Sequence, residues 1–153
     1  MASNKFAEEY KSATELFIGV VDSLSSGDLD KSDSEGWTPR QVIHHMADSE
    51  AQSYARLRRL IAEPGTPIQG YDEAIWAENP TLGYKNEEVQ SSISVIKAVR
   101  QASYELLLRI SDAQLENTAI HTEAGPYSVN RWIETYTRHP KDHANQIREQ
   151  ISK

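Results

Sequence analysis

Apolar residues recur every three or four positions along four stretches of the chain, the spacing of four amphipathic helices. The first stripe, from about Asn4 to Ser25, is Phe6, Tyr10, Ala13, Phe17, Val20, Val21 and Leu24, and Gly27 in the polar run that follows ends it. The second helix opens at Thr38-Pro39-Arg40-Gln41. Thr38 suits the N-cap, Pro39 the first helical position, and Gln41 the position whose side chain reaches back in a capping box. Val42, Ile43, Met46, Tyr54, Leu57, Leu60 and Ile61 form its buried stripe, and Pro64-Gly65 stops it. A third helix runs from about Asn86, a plausible N-cap, to Ile110, with Val89, Ile93, Ile96, Val99, Leu106, Leu107 and Ile110 facing inward. A fourth follows Gly125-Pro126, with Ser128 as N-cap and Val129, Trp132, Ile133, Tyr136, Ile147 and Ile151 on one face. No strand pair, repeat or low-complexity tract stands out. The pattern predicts an all-α four-helix bundle, one domain over residues 1–153, whose long second and third connections permit a topology other than up-down-up-down.

The second connection, residues 65–85, is rich in Gly and Pro and carries Tyr71 and Trp76. A connection of this length is either a lid or pocket wall, or a crossover packed by its own aromatics, and both readings stay open. In the third connection Ser111 to Gln114 suits a short extra turn, and His121 reads as a surface-loop histidine.

Polar residues interrupt two of the stripes. In the last helix the gap between Tyr136 and Ile147 is filled by His139 and His143, and the steps 132, 136, 139, 143, 147, 151 keep both histidines on the buried face. Residues four apart on a helix have Cβ atoms about 5–6 Å apart, close enough for two imidazoles to hold one metal ion. Two hydrogen-bonded core histidines are the alternative, and each then needs a polar partner. In the second helix Glu50 projects onto the middle of the stripe, where a carboxylate is costly unless paired. His45 lies at the edge of that stripe and His44 points away from it, so periodicity favours His45 as a third ligand from a facing helix. Pro140, directly after His139, removes a helical hydrogen bond and crowds the carbonyl of Tyr136; it either kinks the helix or marks a restart.

Three imidazoles leave at least one position of a divalent ion open, the feature that separates catalytic from closed structural sites. Two other metal chemistries do not fit. The run His139-Pro-Lys-Asp-His143 lacks the glutamate of a His-Glu-x-x-His protease helix, and no Glu-x-x-His pair exists for a carboxylate-bridged di-iron bundle. Glu50 and Asp48 are candidates for supporting the ligands or moving protons.

Composition narrows the partners. With 16 Lys and Arg against 23 Asp and Glu the formal charge is −7, which disfavours a nucleic-acid backbone. The absence of cysteine excludes disulfides, thiolate metal sites and cysteine nucleophiles. No apolar run resembles a signal peptide or membrane span, so the expected location is the cytoplasm.

The segments GWTPRQVIHHMADSE and YTRHPKDHANQI, with IQGYDEAIWAENP between them, resemble the DinB/YfiT-like superfamily of bacterial metal-binding four-helix bundles over nearly the whole chain. The family's pattern has a tryptophan, a histidine eight residues later and a distant His-x-x-x-His pair, which map onto Trp37, His45, His139 and His143. The resemblance implies a divalent metal, nickel or zinc, held by these three histidines. It also implies homodimers and an activity of hydrolysis or of adding a low-molecular-weight thiol to a small-molecule electrophile. Pro140 departs from the pattern. Two functions are therefore carried forward: a metal-dependent enzyme, and a non-catalytic binding or sensing bundle whose histidines are structural.

Overall fold

The computed structural model describes residues 2–32 and 36–152. Four long helices form the bundle: α1 (Ala2–Asp22), α2 (Pro39–Ala62), α4 (Gln90–Leu107) and α5 (Val129–Ile151), with a short α3 (Glu73–Glu78) in the second connection. Helix α1 packs against α4 and α5, and α2 packs against the same two helices, so α1 and α2 stand diagonally across the bundle.

The helix starts follow their local chemistry. Thr38 Oγ1 accepts the Gln41 amide at 3.3 Å while Gln41 Oε1 accepts the Thr38 amide at 2.9 Å, with Pro39 at the first helical position. Ser128 Oγ caps α5 by accepting the Arg131 amide at 3.1 Å. Helix α4 is shorter than the periodicity suggests. It begins at Gln90 after Val89, which makes no side-chain cap, because the chain from Gly83 to Glu87 is taken up by a tight turn in which the Asn86 and Glu87 amides bond the Gly83 carbonyl. Helix α5 runs unbroken through Pro140, so the helix does not restart there.

Three short strands correct the strand-free expectation. β1 (Pro67–Ile68) pairs in parallel with β2 (Thr118–His121), which pairs antiparallel with β3 (Gly125–Ser128). Strands of two to four residues are too short to announce themselves by alternation. In the second half of β2 the polarity is also inverted, with Ile120 54% exposed and His121 buried. The sheet ties the second connection to the third, and Gly125, at φ 75°, makes the hairpin turn. His121 is not on a surface loop: its Nδ1 accepts the Glu123 and Ala124 amides, each at 3.1 Å, and closes that hairpin.

The core has two apolar parts. One gathers Tyr10, Leu57, Leu60, Leu107, Trp132 and Tyr136, with the Trp132 indole donating to the Ser53 carbonyl at 3.0 Å. The other gathers Phe17, Val42, Ile43, Met46, Ile96 and Ile147. Between them, by their positions on all four helices, lie Thr14, Glu50, Ser53, Arg100 and Ser103, and also His139. Glu50 and Arg100 form a fully buried ion pair at 2.8 Å, which supplies the partner the carboxylate required.

Since the capping box sets where α2 begins, Thr38→Ala should cost about 1 kcal/mol of stability. Urea unfolding reads it out as a lower midpoint at unchanged slope; an unshifted midpoint would remove the cap from the account of α2.

Candidate metal centre

The capping box starts α2 seven residues before His45, and α5 crosses beside it carrying His139 and His143 one turn apart. The three Nε2 atoms converge. His139 Nε2 lies 3.2 Å from His45 Nε2 and 2.9 Å from His143 Nε2, and the rings meet edge to face at 67–82°. Trp37 lies against the His45 ring with centroids 4.9 Å apart, and Gln150 from the end of α5 donates to the Trp37 carbonyl.

These nitrogens fit a metal better than they fit one another. His143 Nδ1 sits 2.7 Å from Gln146 Oε1, an acceptor, so Nδ1 carries the proton and Nε2 presents its lone pair inward. His139 Nε2 has at most one proton and two imidazole neighbours, so hydrogen bonds among the three rings cannot satisfy all of them. Ligand nitrogens 2.0–2.1 Å from one ion, at angles between octahedral and tetrahedral, stand about 2.9–3.4 Å apart, which brackets both separations here. The Nδ1 atoms of His45 and His139 are buried without a protein partner.

Electrostatics keep the rings in the form a metal needs. Burial is the largest influence on all three and opposes the imidazolium; for His45 it lowers the pKa from 6.5 to about 3, with the His143 charge acting the same way. A neutral imidazole is the ligating form.

The other candidates take different places. Glu50 is fully buried; its Oε1 accepts from Arg100 and its Oε2 accepts from Ser53 Oγ at 3.1 Å. Asp48 Oδ2 accepts the Tyr84 hydroxyl at 2.5 Å, and burial followed by this bond raises the Tyr84 pKa. Neither carboxylate belongs to the group of converging ligand atoms, which among the described residues is His45, His139 and His143. His44, next in sequence to His45, is buried elsewhere: its Nδ1 meets Ser92 Oγ at 2.7 Å and its Nε2 meets the Glu87 carbonyl at 3.0 Å. Tyr71 and Trp76 pack against each other with ring centroids 4.5 Å apart and planes tilted 48°, and Tyr84 from the same connection reaches Asp48 one turn beyond His45. This connection is thus packed by its own aromatics and also contacts the α2 face near the histidines. Arg100 escaped the sequence reading, although it occupies the gap in a buried stripe stepping 96, 100, 103, 107.

A four-helix bundle with three converging histidines on two facing helices defines a class of protein. The chain belongs to the DinB superfamily, whose family model matches residues 9–147. It is 37% identical over 145 residues to a protein of Oceanobacillus iheyensis named "putative metal-dependent hydrolase", an alignment covering 94% of this chain and 83% of that one. A second protein of the same organism and name is 26% identical over 150 residues, covering 97% and 85%. Among solved structures it is similar to YfiT from Bacillus subtilis, described as "a probable metal-dependent hydrolase with an unusual four-helix bundle topology". The TM-score is 0.86 at 25% identity, over 97% of this chain and 85% of that one.

The depressed histidine pKa sets a pH dependence for chelator-treated protein. The unfolded chain binds protons on these rings near pH 6.5, whereas burial lowers all three in the folded chain, His45 to about 3. The unfolded state therefore holds more protons in that window, and stability falls as pH drops from 6.5. The melting temperature of the metal-free protein should decline from pH 7 to 5, less steeply in His45→Gln; parallel curves would overturn the assignment.

Proposed function

We propose that this chain is a metal-dependent hydrolase of a small-molecule substrate, with a divalent ion held by His45, His139 and His143. The observation that carries the reading is the convergence of three Nε2 atoms with neighbours 2.9 and 3.2 Å apart, which no sharing of protons among them can satisfy. The names of the relatives support the reaction class. An all-imidazole donor set suits zinc or nickel. Bound there with open positions, such an ion supplies Lewis acidity, lowering the pKa of a water or thiol and polarising a carbonyl.

The chain's own residues do the remaining work in this reading. Gln146 holds the His143 tautomer with its lone pair inward, the arrangement that outer partners of metal ligands commonly impose. Trp37 packs against the buried His45 ring, tilted 58° to it. Asp48, partly exposed and one turn beyond His45, is the group assigned to proton transfer, with Tyr84 fixing its orientation. Glu50 has both oxygens engaged by Arg100 and Ser53, so its role is support. A homodimer in the cytoplasm, without nucleic acid or membrane as partner, completes the proposal; no helix among the described residues is long and apolar enough to cross a membrane.

Elemental analysis of untagged protein should give close to one zinc or nickel per chain, and His143→Ala should lose it. Adding the metal to stripped protein should raise the melting temperature, by the equivalent of about 2.7 kcal/mol when free metal exceeds Kd a hundredfold. Metal-dependent cleavage of a small ester or amide without thiol is the expected activity. Thiol-dependent consumption of chlorodinitrobenzene would instead establish transfer. Protein that takes up no metal and melts alike with chelator would return the histidines to a structural role.

A further inference from the structure

We propose that Arg100, paired with Glu50, is a positioning residue for the metal site, holding the turn of α5 that presents His139 through the carbonyl that Pro140 leaves without its helical donor. The inference rests on the reading that His45, His139 and His143 bind a metal.

An α-helix bonds each amide to the carbonyl four residues earlier, so the missing proton of Pro140 frees the carbonyl of Tyr136. That carbonyl lies in the core, where an unpaired acceptor is costly. Arg100 reaches it from α4: Nη1 donates to Tyr136 O at 3.0 Å and also to Glu50 Oε1 at 2.8 Å. The rest of the guanidinium is held just as firmly. Its Nη2 donates to Tyr10 O at 3.2 Å, its Nε donates to Thr14 Oγ1, and its Cζ lies over the Tyr10 ring, 3.8 Å from the ring centre.

The two groups bridged by Nη1 flank the ligands. Tyr136 precedes His139 by three residues on α5, and Glu50 follows His45 by five on α2. A single nitrogen therefore ties the turn before one ligand to the turn after the other, on the two helices whose separation sets the distance between their Nε2 atoms. Pro140 makes this clamp necessary, because with any other residue the helix could serve the Tyr136 carbonyl itself. Arg100 only reaches His139 through the backbone, so it touches no ligand and belongs to positioning.

The test uses cobalt(II) alone as probe, reading affinity and the ligand-field absorption spectrum of three proteins. Removing one partner would strand a buried charge, so the first variant replaces both, Glu50→Met with Arg100→Met, for which a folded protein is the usual outcome. The second adds Pro140→Ala to that pair, returning an amide proton to the Tyr136 carbonyl. If the double variant does not fold, Arg100→Lys, which keeps the charge and loses the fork, takes its place with and without Pro140→Ala. Wild type should bind one cobalt per chain. The paired variant, folded by circular dichroism, should bind about tenfold more weakly with an altered spectrum, as loss of outer support does. Restoring the amide at position 140 should recover most of that loss. Folded variants that bind cobalt within twofold of wild type, or a loss that Pro140→Ala leaves unchanged, would overturn the positioning role while leaving the metal reading intact. A wild type that binds no cobalt would overturn both.

Discussion

Burying a guanidinium costs several kcal/mol of solvation, so the fold tolerates Arg100 only with its partners in place. Those partners come from each of the other three long helices: Tyr10 and Thr14 on α1, Glu50 on α2 and the Tyr136 carbonyl on α5. An apolar side chain at this position would pack at many rotations and offsets of its neighbours. A forked donor with carboxylate and carbonyl acceptors at 2.8–3.2 Å, and the Thr14 hydroxyl besides, restricts them. Replacing the pair with apolar residues need not lower stability; what the geometry shows is one guanidinium on α4 bonded to groups on each of the other three long helices.

That restriction falls at the level of the bundle where a metal site would need it. The apolar core is split into two parts, and the layer between them carries the ion pair on the inside and His139 on α5. Imidazole nitrogens must be placed to within a few tenths of an ångström to share one ion, and Leu or Ile packing alone does not fix helices that tightly. The gaps in the hydrophobic stripes of α2, α4 and α5 are therefore one feature seen from three helices. Each helix gives up apolar area at the same height, and among the polar groups so admitted Glu50 bonds both Arg100 and Ser53.

Much of this was legible in the sequence because helical period and capping chemistry are local. The starts of α2 and α5 follow from Thr38-Pro39-x-Gln41 and from Ser128, and the buried face of α5 places His139 and His143 together. The demand that Glu50 have a partner was also readable, but the identity of that partner was not. Arg100 sits in its stripe as Glu50 does in its own, yet an arginine at one such position ordinarily reads as a solvated edge, and pairing two helices needs the tertiary fold. The sheet was hidden for a different reason. β2 turns Ile120 outward and His121 inward, contrary to their polarity, because its register is set by β1 and β3 and by the amides that His121 accepts. Pro140 read as a kink or a restart; the helix does not restart there, and the cost of its missing proton is met from α4.

The contrast between adjacent histidines bears on whether the cluster is structural. His44 shows what a buried histidine retained for packing looks like: one nitrogen meets a serine hydroxyl, the other a backbone carbonyl, and neither is left over. His121 likewise engages its Nδ1 with two backbone amides. His45, one residue along the same helix and rotated about 100°, differs in kind. Its Nε2 faces another imidazole nitrogen that is already crowded by a third, and its Nδ1 has no protein partner. A core selected only for stability would have little reason to bring three neutral rings together by their basic nitrogens, since apolar residues of similar volume would avoid the unmet hydrogen bonds. The same chain thus contains both kinds of histidine, and the unmet nitrogens occur where two helices bring three Nε2 atoms together.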